Sequence, residues 1–371
     1  MRVKKIGELV KTYKVAIIGL GRMGSTIDDE HPALGPYSLP ACCQASDRLE
    51  LVAGSDLHQD RREAFGKKWG ITALYEDYLD MIEHERPDMV AITTRGTSLL
   101  KPNNSAPSKE FREDSHAEIG VAVAEAGVPM IYLEKAISNT VRGADTLLEV
   151  CLSNGTVFNA GVLRRFSSWA QVTRAAIKRG DIGEPRVVVH YGGSVLMHNH
   201  VHSIDTVSYL LGDPEIVAVR GELHPRDMKI EDNHLAEDPR ATFHIQFENG
   251  VEAYSVPGGP VETEVIGLEN SIRASNTLNR KEVAVHLRAS VKGSGKPDWT
   301  SVPVPDLPGG TVVACLEDLV ESHESGRPSK ANVEVSHRVA EALLSVPESH
   351  RQGGAWIQMP VKNRDLYVFH V

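Results

Sequence analysis

Cysteine is scarce in this 371-residue sequence. Cys42, Cys43, Cys151 and Cys315 are the only four, and no Cys-x-x-Cys spacing joins any of them. Neighbours such as Cys42 and Cys43 make a poor disulfide pair, so the thiols read as buried residues of a protein in a reducing compartment. They form neither a disulfide scaffold nor a thiolate zinc site. Long apolar runs are also missing, and nothing approaches the ~20 residues of a membrane-spanning helix. The first segment, MRVKKIGELVKTYK, has charge but no apolar core of secretory length, so a cytoplasmic protein is expected. Positive charge is not in excess. The formal net charge of −10 argues against a nucleic-acid partner, whose binding surfaces are usually basic. Internal repeats and low-complexity tracts are absent.

The residues that are present describe a soluble globular chain long enough for two cores, with 41% hydrophobic and 24% charged residues. Apolar runs at Tyr13–Ile18, Leu49–Ser55, 88–93 and 128–133 read as buried strands. Segments 59–69, 75–84 and 116–126 carry apolar residues every three or four positions and read as helices. Such strands alternating with helices imply a doubly wound parallel sheet covered on both faces. Two polar segments, Asp28–Pro40 and Arg95–Ser115, interrupt the alternation and are expected to be loops at the carboxyl ends of strands, where open α/β sheets bind ligands. After a helix at 141–153 and another near 168–179, strand-like runs dominate: 186–191, 215–222, 241–247, 251–255, 263–268 and 282–287. Helices return at 311–325 and 332–350. The expected division is a dinucleotide-binding domain over 1–137 and an α+β domain with an open, mainly antiparallel sheet over 138–371.

Gly19-Leu-Gly21-Arg22-Met23-Gly24 follows the first strand directly. In such a loop the first glycine permits the tight turn, the second lets backbone approach a pyrophosphate, and the third lets helix pack on strand. The helix that follows offers unpaired N–H groups and its positive dipole end to phosphate. Asp56, at the end of the second strand, is placed to accept from ribose hydroxyls and to repel a 2′-phosphate, which favours NAD over NADP. Arg61 and Arg62 nearby keep NADP open, and capping of the next helix is the plainer role for Asp56. Thr93 and Thr94 end the fourth strand and are candidates for contact with the nicotinamide ribose. Glu134-Lys135 ends the fifth strand, where a lysine projects into the ligand crevice and can polarise a hydroxyl.

These features recur in order with Leu163-Arg164-Arg165-Phe166, Gly180-Asp-Ile-Gly-Glu-Pro185 and the stretch His198-Asn-His200-Val-His202-Ser-Ile-Asp205. The sequence resembles the Gfo/Idh/MocA oxidoreductases over nearly its whole length. Where that family carries Glu-Lys-Pro, this chain has Glu134-Lys135-Ala136. Where it carries an Asp, then a His four residues on and an Asp three further, this chain has His198, His202 and Asp205. The resemblance implies a Rossmann domain and a second domain with a mainly antiparallel sheet. It also implies NAD(P)-linked oxidation or reduction of a sugar, inositol or related polyol, in a homodimer or homotetramer. Lys135 and His202 would then flank the reacting carbon–oxygen bond, with His202 as general base and Lys135 as positioning and polarising group. His198 replaces a carboxylate, and Arg164 is a candidate for contact with substrate hydroxyls.

The three alternating histidines invite a metal reading as well. Three ligands from one segment require it to stay extended, whereas 203–212 has helical periodicity, so no metal is expected. His200 either reaches the substrate or points to solvent. Asp205 is expected to orient a partner, His116 to start a helix, and His31 to be a solvated loop residue. Two further readings stand beside the dehydrogenase. One is an enzyme with resident NAD that uses transient oxidation to permit elimination; the other is a non-catalytic dinucleotide sensor.

Overall fold

The computed structural model describes residues 11–32, 35–94, 116–192, 194–275, 284–290 and 297–370. The expected insertion Arg95–Ser115 lies outside the described residues. The first part of the chain runs β1 (Tyr13–Ile18), α1 (Ile27–Glu30), α2 (Leu39–Ala45), β2 (Leu49–Ser55), α3 (Gln59–Trp69) and β3 (Leu74–Tyr75). It continues with α4 (Tyr78–Glu85), β4 (Met89–Ile92), α5 (His116–Glu125), β5 (Met130–Leu133), α6 (Val141–Asn154) and β6 (Val157–Ala160). The strands form one parallel sheet in the order β3-β2-β1-β4-β5-β6. This is the strand order of a dinucleotide-binding doubly wound fold, whose ligand crevice lies at the carboxyl ends around β1 and β4. All four residues of β4 and of β5 are buried, as strands covered on both faces must be. The sheet runs on past residue 137, because β6 is its sixth strand.

Two expectations about this part need correction. Asp28–Pro40 is not all loop, since Asp28–Glu30 complete α1 and Leu39–Pro40 open α2. Pro40 is tolerated there because the first helical turn needs no N–H from it, and Ser38 caps the same turn by accepting from Ala41 N. Tyr75, expected in a helix, belongs to β3. Its neighbour Gly54 donates to Ala73 O in a short edge pairing that propensity alone does not reveal.

The second part comprises α7 (Ser168–Arg179), β7 (Pro185–Tyr191), β8 (Ser194–Val195), α8 (Val201–Leu211), β9 (Ile216–His224), β10 (His234–Leu235), β11 (Arg240–Phe247), β12 (Glu252–Val256) and β13 (Glu262–Gly267). Beyond these come β14 (Ser271–Ser275), β15 (Val285–Ser290), β16 (Pro297–Val302), α9 (Gly310–Ser325), α10 (Val333–Arg351), β17 (Ile357–Gln358) and β18 (Tyr367–Val368). The large sheet is mixed and mainly antiparallel, ordered β16-β15-β14-β13-β7-β12-β11-β9-β17, and only its β12–β7 pairing is parallel. Strands β14 and β16 escape the sequence pattern, and the strand expected at 282–287 sits at Val285–Ser290. Helix α9 leaves this sheet and returns to the first domain, where Val312, Cys315, Leu316 and Leu319 join one core with Val15, Ile17 and Met130. All four cysteines are buried free thiols, and burial pushes Cys43 and Cys151 up to about 12. Among the described residues no helix is long and apolar enough to cross a membrane.

Where the two parts meet, the turn Leu163–Phe166 is fully buried and carries Arg165 into the seam. The Arg165 side chain, inaccessible to solvent, donates from Nε to Asp205 Oδ1 at 2.6 Å and pairs through Nη1 with Asp213 at 2.8 Å. It also donates to Lys330 O at 3.1 Å. Desolvating such a pair offsets most of its attraction, but deleting one partner strands a buried charge. We therefore expect Arg165→Met to lose about 3–5 kcal/mol in urea unfolding at pH 7. The double change Arg165→Met with Asp205→Leu should cost clearly less than that, and an equal or greater cost would show that the pair itself stabilises the fold.

Candidate active site

The glycine turn is built by close packing. Gly19 has φ +89°, in the left-handed region, and a Cβ there would lie 2.7 Å from Thr94 N. A Cβ on Gly24 would lie 2.0 Å from Gly19 O, whereas one on Gly21 would meet nothing within 4 Å. First and third glycines are thus locked against the protein, while the second faces open space, as a pyrophosphate cradle requires. Thr93 Oγ1 donates to Gly19 O at 2.6 Å, so its hydroxyl secures the turn. Residues Arg22–Thr26 make a single π-helical turn closed by Thr26 N donating to Gly21 O at 3.3 Å. Within it Arg22 pairs with Glu30, and Met23 packs on the first-domain core.

Asp56 is buried at the end of β2. Its Oδ2 accepts from Leu20 N, in the glycine loop, and its Oδ1 from His58 N, each at 2.9 Å. The carboxylate therefore joins the loop to the start of α3 and still has acceptor capacity, since each oxygen carries two lone pairs. The half-exposed Arg61 stands 3.6 Å from Oδ2.

Lys135 follows β5, and the Lys135–Ala136 peptide is cis. Its neighbour Glu134 accepts from Tyr132 OH at 2.6 Å. The His116 ring bridges Thr94 O at 2.7 Å and Ala136 O at 2.8 Å, so it braces the ends of β4 and β5 as well as opening α5. Lys135 Nζ lies 3.4 Å from His198 Nδ1, which joins the two domains across the crevice.

The segment carrying the three histidines is helical throughout, a π-turn over Leu196–His200 running into α8. Asp238, just before β11, caps it by accepting from Met197 N at 2.7 Å and His198 N at 2.9 Å. Helical winding separates the histidines. His198 faces the crevice. His200 is completely buried, with Nε2 at 2.9 Å from Ala241 O and its ring edge-on to Phe243, so it does not point to solvent. His202, on the first turn of α8, is partly buried. Its Nδ1 is buried without a hydrogen-bond partner. Burial, followed by the charges of Arg164, Lys135, His198 and His370, holds its proton affinity well below the ordinary histidine value. Among the described residues no group of three His, Cys, Asp or Glu is placed to hold a metal ion.

Arg164 is buried, and desolvation lowers it to about 10, so it remains a cation at neutral pH. Asp205 is buried with Arg165, its carboxyl pushed up to about 6 by burial. His31 is exposed, as a loop histidine should be. Sequence reasoning missed three residues here. Asp28 accepts from Tyr37 N and Ser38 N and folds the loop back; burial, followed by the charge of Glu134, raises the Tyr37 phenol to about 12. Asp238 and His370 arrive from distant segments with no local motif. The one available signal was Tyr37, the sole aromatic residue in Asp28–Pro40.

A parallel sheet of this order, with a three-glycine cradle and a basic crevice facing a second sheet domain, defines a dinucleotide-binding oxidoreductase scaffold. The model of an oxidoreductase family with NAD-binding Rossmann fold matches residues 13–162, and that of the same family's C-terminal alpha/beta domain matches 186–359. The chain belongs to this Gfo/Idh/MocA family, and its first domain is an NAD-binding domain. Among relatives, it is 23% identical over 214 residues to myo-inositol 2-dehydrogenase of Thermotoga maritima, covering 54% of this chain and 55% of that enzyme. It is 23% identical over 272 residues to D-glucoside 3-dehydrogenase of Escherichia coli, covering 64% and 67%. It thus aligns with little more than half the length of the first of these. The structure of aldose-aldose oxidoreductase from Caulobacter crescentus superposes with a TM-score of 0.74 at 18% identity, covering 94% of this chain and all of that one, a likeness of fold.

Two tests follow from this geometry. Gly21→Ala should leave unfolding unchanged and weaken NAD about tenfold or more, since one misplaced methyl group at a contact costs on the order of 1.4 kcal/mol. Gly24→Ala should lose about 1–3 kcal/mol of stability through overpacking, besides losing NAD. Equal behaviour of the two variants in calorimetry would contradict the assigned geometry. The second test is pH. Buried His190 and His200 are lowered to about 3 and about 4 from 6.5, so the unfolded chain takes up protons first as pH falls. Their contribution is complete above pH 6.5 and is lost at about 1.4 kcal/mol per histidine per unit below it. His202 acts in the same sense. Asp205, raised to about 6, acts in the opposite sense between there and its ordinary value of 3.8. Urea midpoints should therefore fall between pH 7 and pH 5, with a net loss of about 3 kcal/mol from His190, His200 and Asp205.

Proposed function

We propose that the protein transfers hydride between a secondary alcohol of a cyclic polyol, sugar or sugar derivative and NAD. The observation that supports this most directly is that Lys135 Nζ, at the end of β5, meets His198 Nδ1 at 3.4 Å while His202, four residues further along the same helical segment, keeps a buried and unpartnered Nδ1. Bound NAD supplies the hydride acceptor, and the two relatives named above are dehydrogenases of an inositol and of a glucoside.

The residues have distinct parts in this reading. Gly19, Gly21 and Gly24 cradle the pyrophosphate, and Asp56 offers its remaining lone pairs to the adenosine ribose. His202, kept neutral by burial and by its basic neighbours, accepts the hydroxyl proton. Lys135 donates a hydrogen bond to the same oxygen and stabilises its developing negative charge, with Arg164 behind it as a fixed cation. His198 meets Lys135 Nζ and limits its freedom. Because His202 must be neutral to act, oxidation should hold its plateau down through pH 6.5 and decline only below it.

The test is a panel of inositols, aldoses, sugar acids and glycosides incubated with NAD while the reduced cofactor is followed by absorbance. At least one cyclic alcohol should reduce NAD. His202→Asn and Lys135→Met should each lower kcat about 10²–10⁴-fold with little change in NAD affinity. Product formed with no net reduction would instead favour the resident-cofactor elimination. No turnover of any kind would favour the sensor.

A further inference from the structure

The last described segment of the chain is clamped by both domains before it reaches the crevice. Arg364 and Asp365 form ion pairs with Asp145 and Arg142 of α6. Asn139, just before α6, donates from Nδ2 to Val368 O at 2.8 Å and accepts at its own carbonyl from Val368 N at 3.1 Å. On the opposite side β18 pairs with β10, with Tyr367 N donating to Asn233 O and Phe369 N to Leu235 O, each at 2.9 Å. The Tyr367 ring stacks on His234 at 4.6 Å. Leu366 and Val368 are buried in the core. A segment fixed at so many points has little freedom where it ends, and its next residue, His370, is itself 6% exposed. The His370 ring lies 5.8 Å from the His198 ring, inclined at 38°.

We propose that His370 is a positioning residue of the reaction site: by packing on His198 it fixes the imidazole that meets Lys135 Nζ, and so links the clamp between the domains to the reacting groups. This rests on the dehydrogenase reading for its catalytic consequence, but not for its geometry. Lys135 from the end of β5 and Arg164 from the turn before α7 act together with both rings on His202 of α8, and Lys135 also acts on Asp238 from the segment before β11. Asp238 is committed to Met197 N and His198 N, so it holds the backbone of His198 while His370 bears on its ring. His370 also acts electrostatically on His202, in company with Lys135 and His198.

The decisive measurement needs no substrate. In protein labelled at the histidine rings, the His198 resonance is assigned by its loss in His198→Asn. His370→Gln should then move that resonance, because the ring that packs on it has gone. Asn139→Ala, which releases Val368, should move the same resonance and serves if His370→Gln folds poorly. With whichever alcohol of the panel is oxidised, His370→Gln should lower kcat about tenfold with the KM for NAD unchanged, as loss of orientation rather than of binding predicts. A His198 resonance that stays put in folded His370→Gln or Asn139→Ala overturns the proposal, whatever the panel shows. A panel without turnover, together with a shifted resonance, overturns the dehydrogenase reading and leaves the positioning contact standing.

Discussion

The arrangement of the crevice depends on one buried ion pair. Arg165 and Asp205 are both sealed from solvent, and their contact ties the turn after β6 to α8. Asp205 lies three residues beyond His202 on the same helix, so fixing the carboxylate fixes the face of α8 that points to the cofactor domain. Arg165 is adjacent to Arg164, so the same contact fixes the cation behind His202. With Asp213 as a second acceptor and Lys330 O as a third, the guanidinium has its planar fork filled, and the geometry is rigid without being a large source of stability. Its value is in specifying how the two sheets register on each other.

That registry brings basic groups together at the crevice. Lys135, Arg164, His198 and His370 all act on His202, and each disfavours a proton on it. A neutral imidazole among cations suits acceptance of a proton from a hydroxyl whose oxygen the same cations then stabilise. The nearest acids are each committed elsewhere: Glu134 to Tyr132, Asp205 to Arg165, and Asp238 to two backbone N–H groups. The electrostatic character of the proposed site thus follows as much from where the carboxylates are tied as from where the bases sit.

Much of this was legible in the sequence because it follows local rules. Apolar β1, β4 and β5 and the glycine turn announce a parallel sheet and its cradle, and helix α7 falls at its expected residues, Ser168–Arg179. The winding that turns His200 away from solvent could be anticipated from the periodicity after Ser203, but its destination could not. That His200 meets Ala241 O depends on β11 arriving beside α8, a contact 41 residues away. Asp238 and His370 were invisible for the same reason. Neither sits in a motif, and each is brought to the crevice by strand pairing, β11 with β8 in one case and β18 with β10 in the other. Strands β14 and β16 were missed because their mixed polar composition satisfies a half-exposed sheet without a marked alternation.

The contact of His198 with Lys135 gains its meaning from these distant residues. A carboxylate at this position would pair with Lys135 and hold it by charge. An imidazole at 3.4 Å can hold it only as a hydrogen-bond acceptor, which requires the ring in one orientation and its Nδ1 unprotonated. Charge attraction tolerates rotation, whereas an imidazole lone pair does not. A site that relies on His198 therefore needs its ring to be oriented from outside, and Asp238 and His370 are what the fold supplies, one on the backbone and one on the ring. His198 and the clamped segment make sense together: where position 198 holds a directional acceptor, the precision that a carboxylate would not need must come from packing.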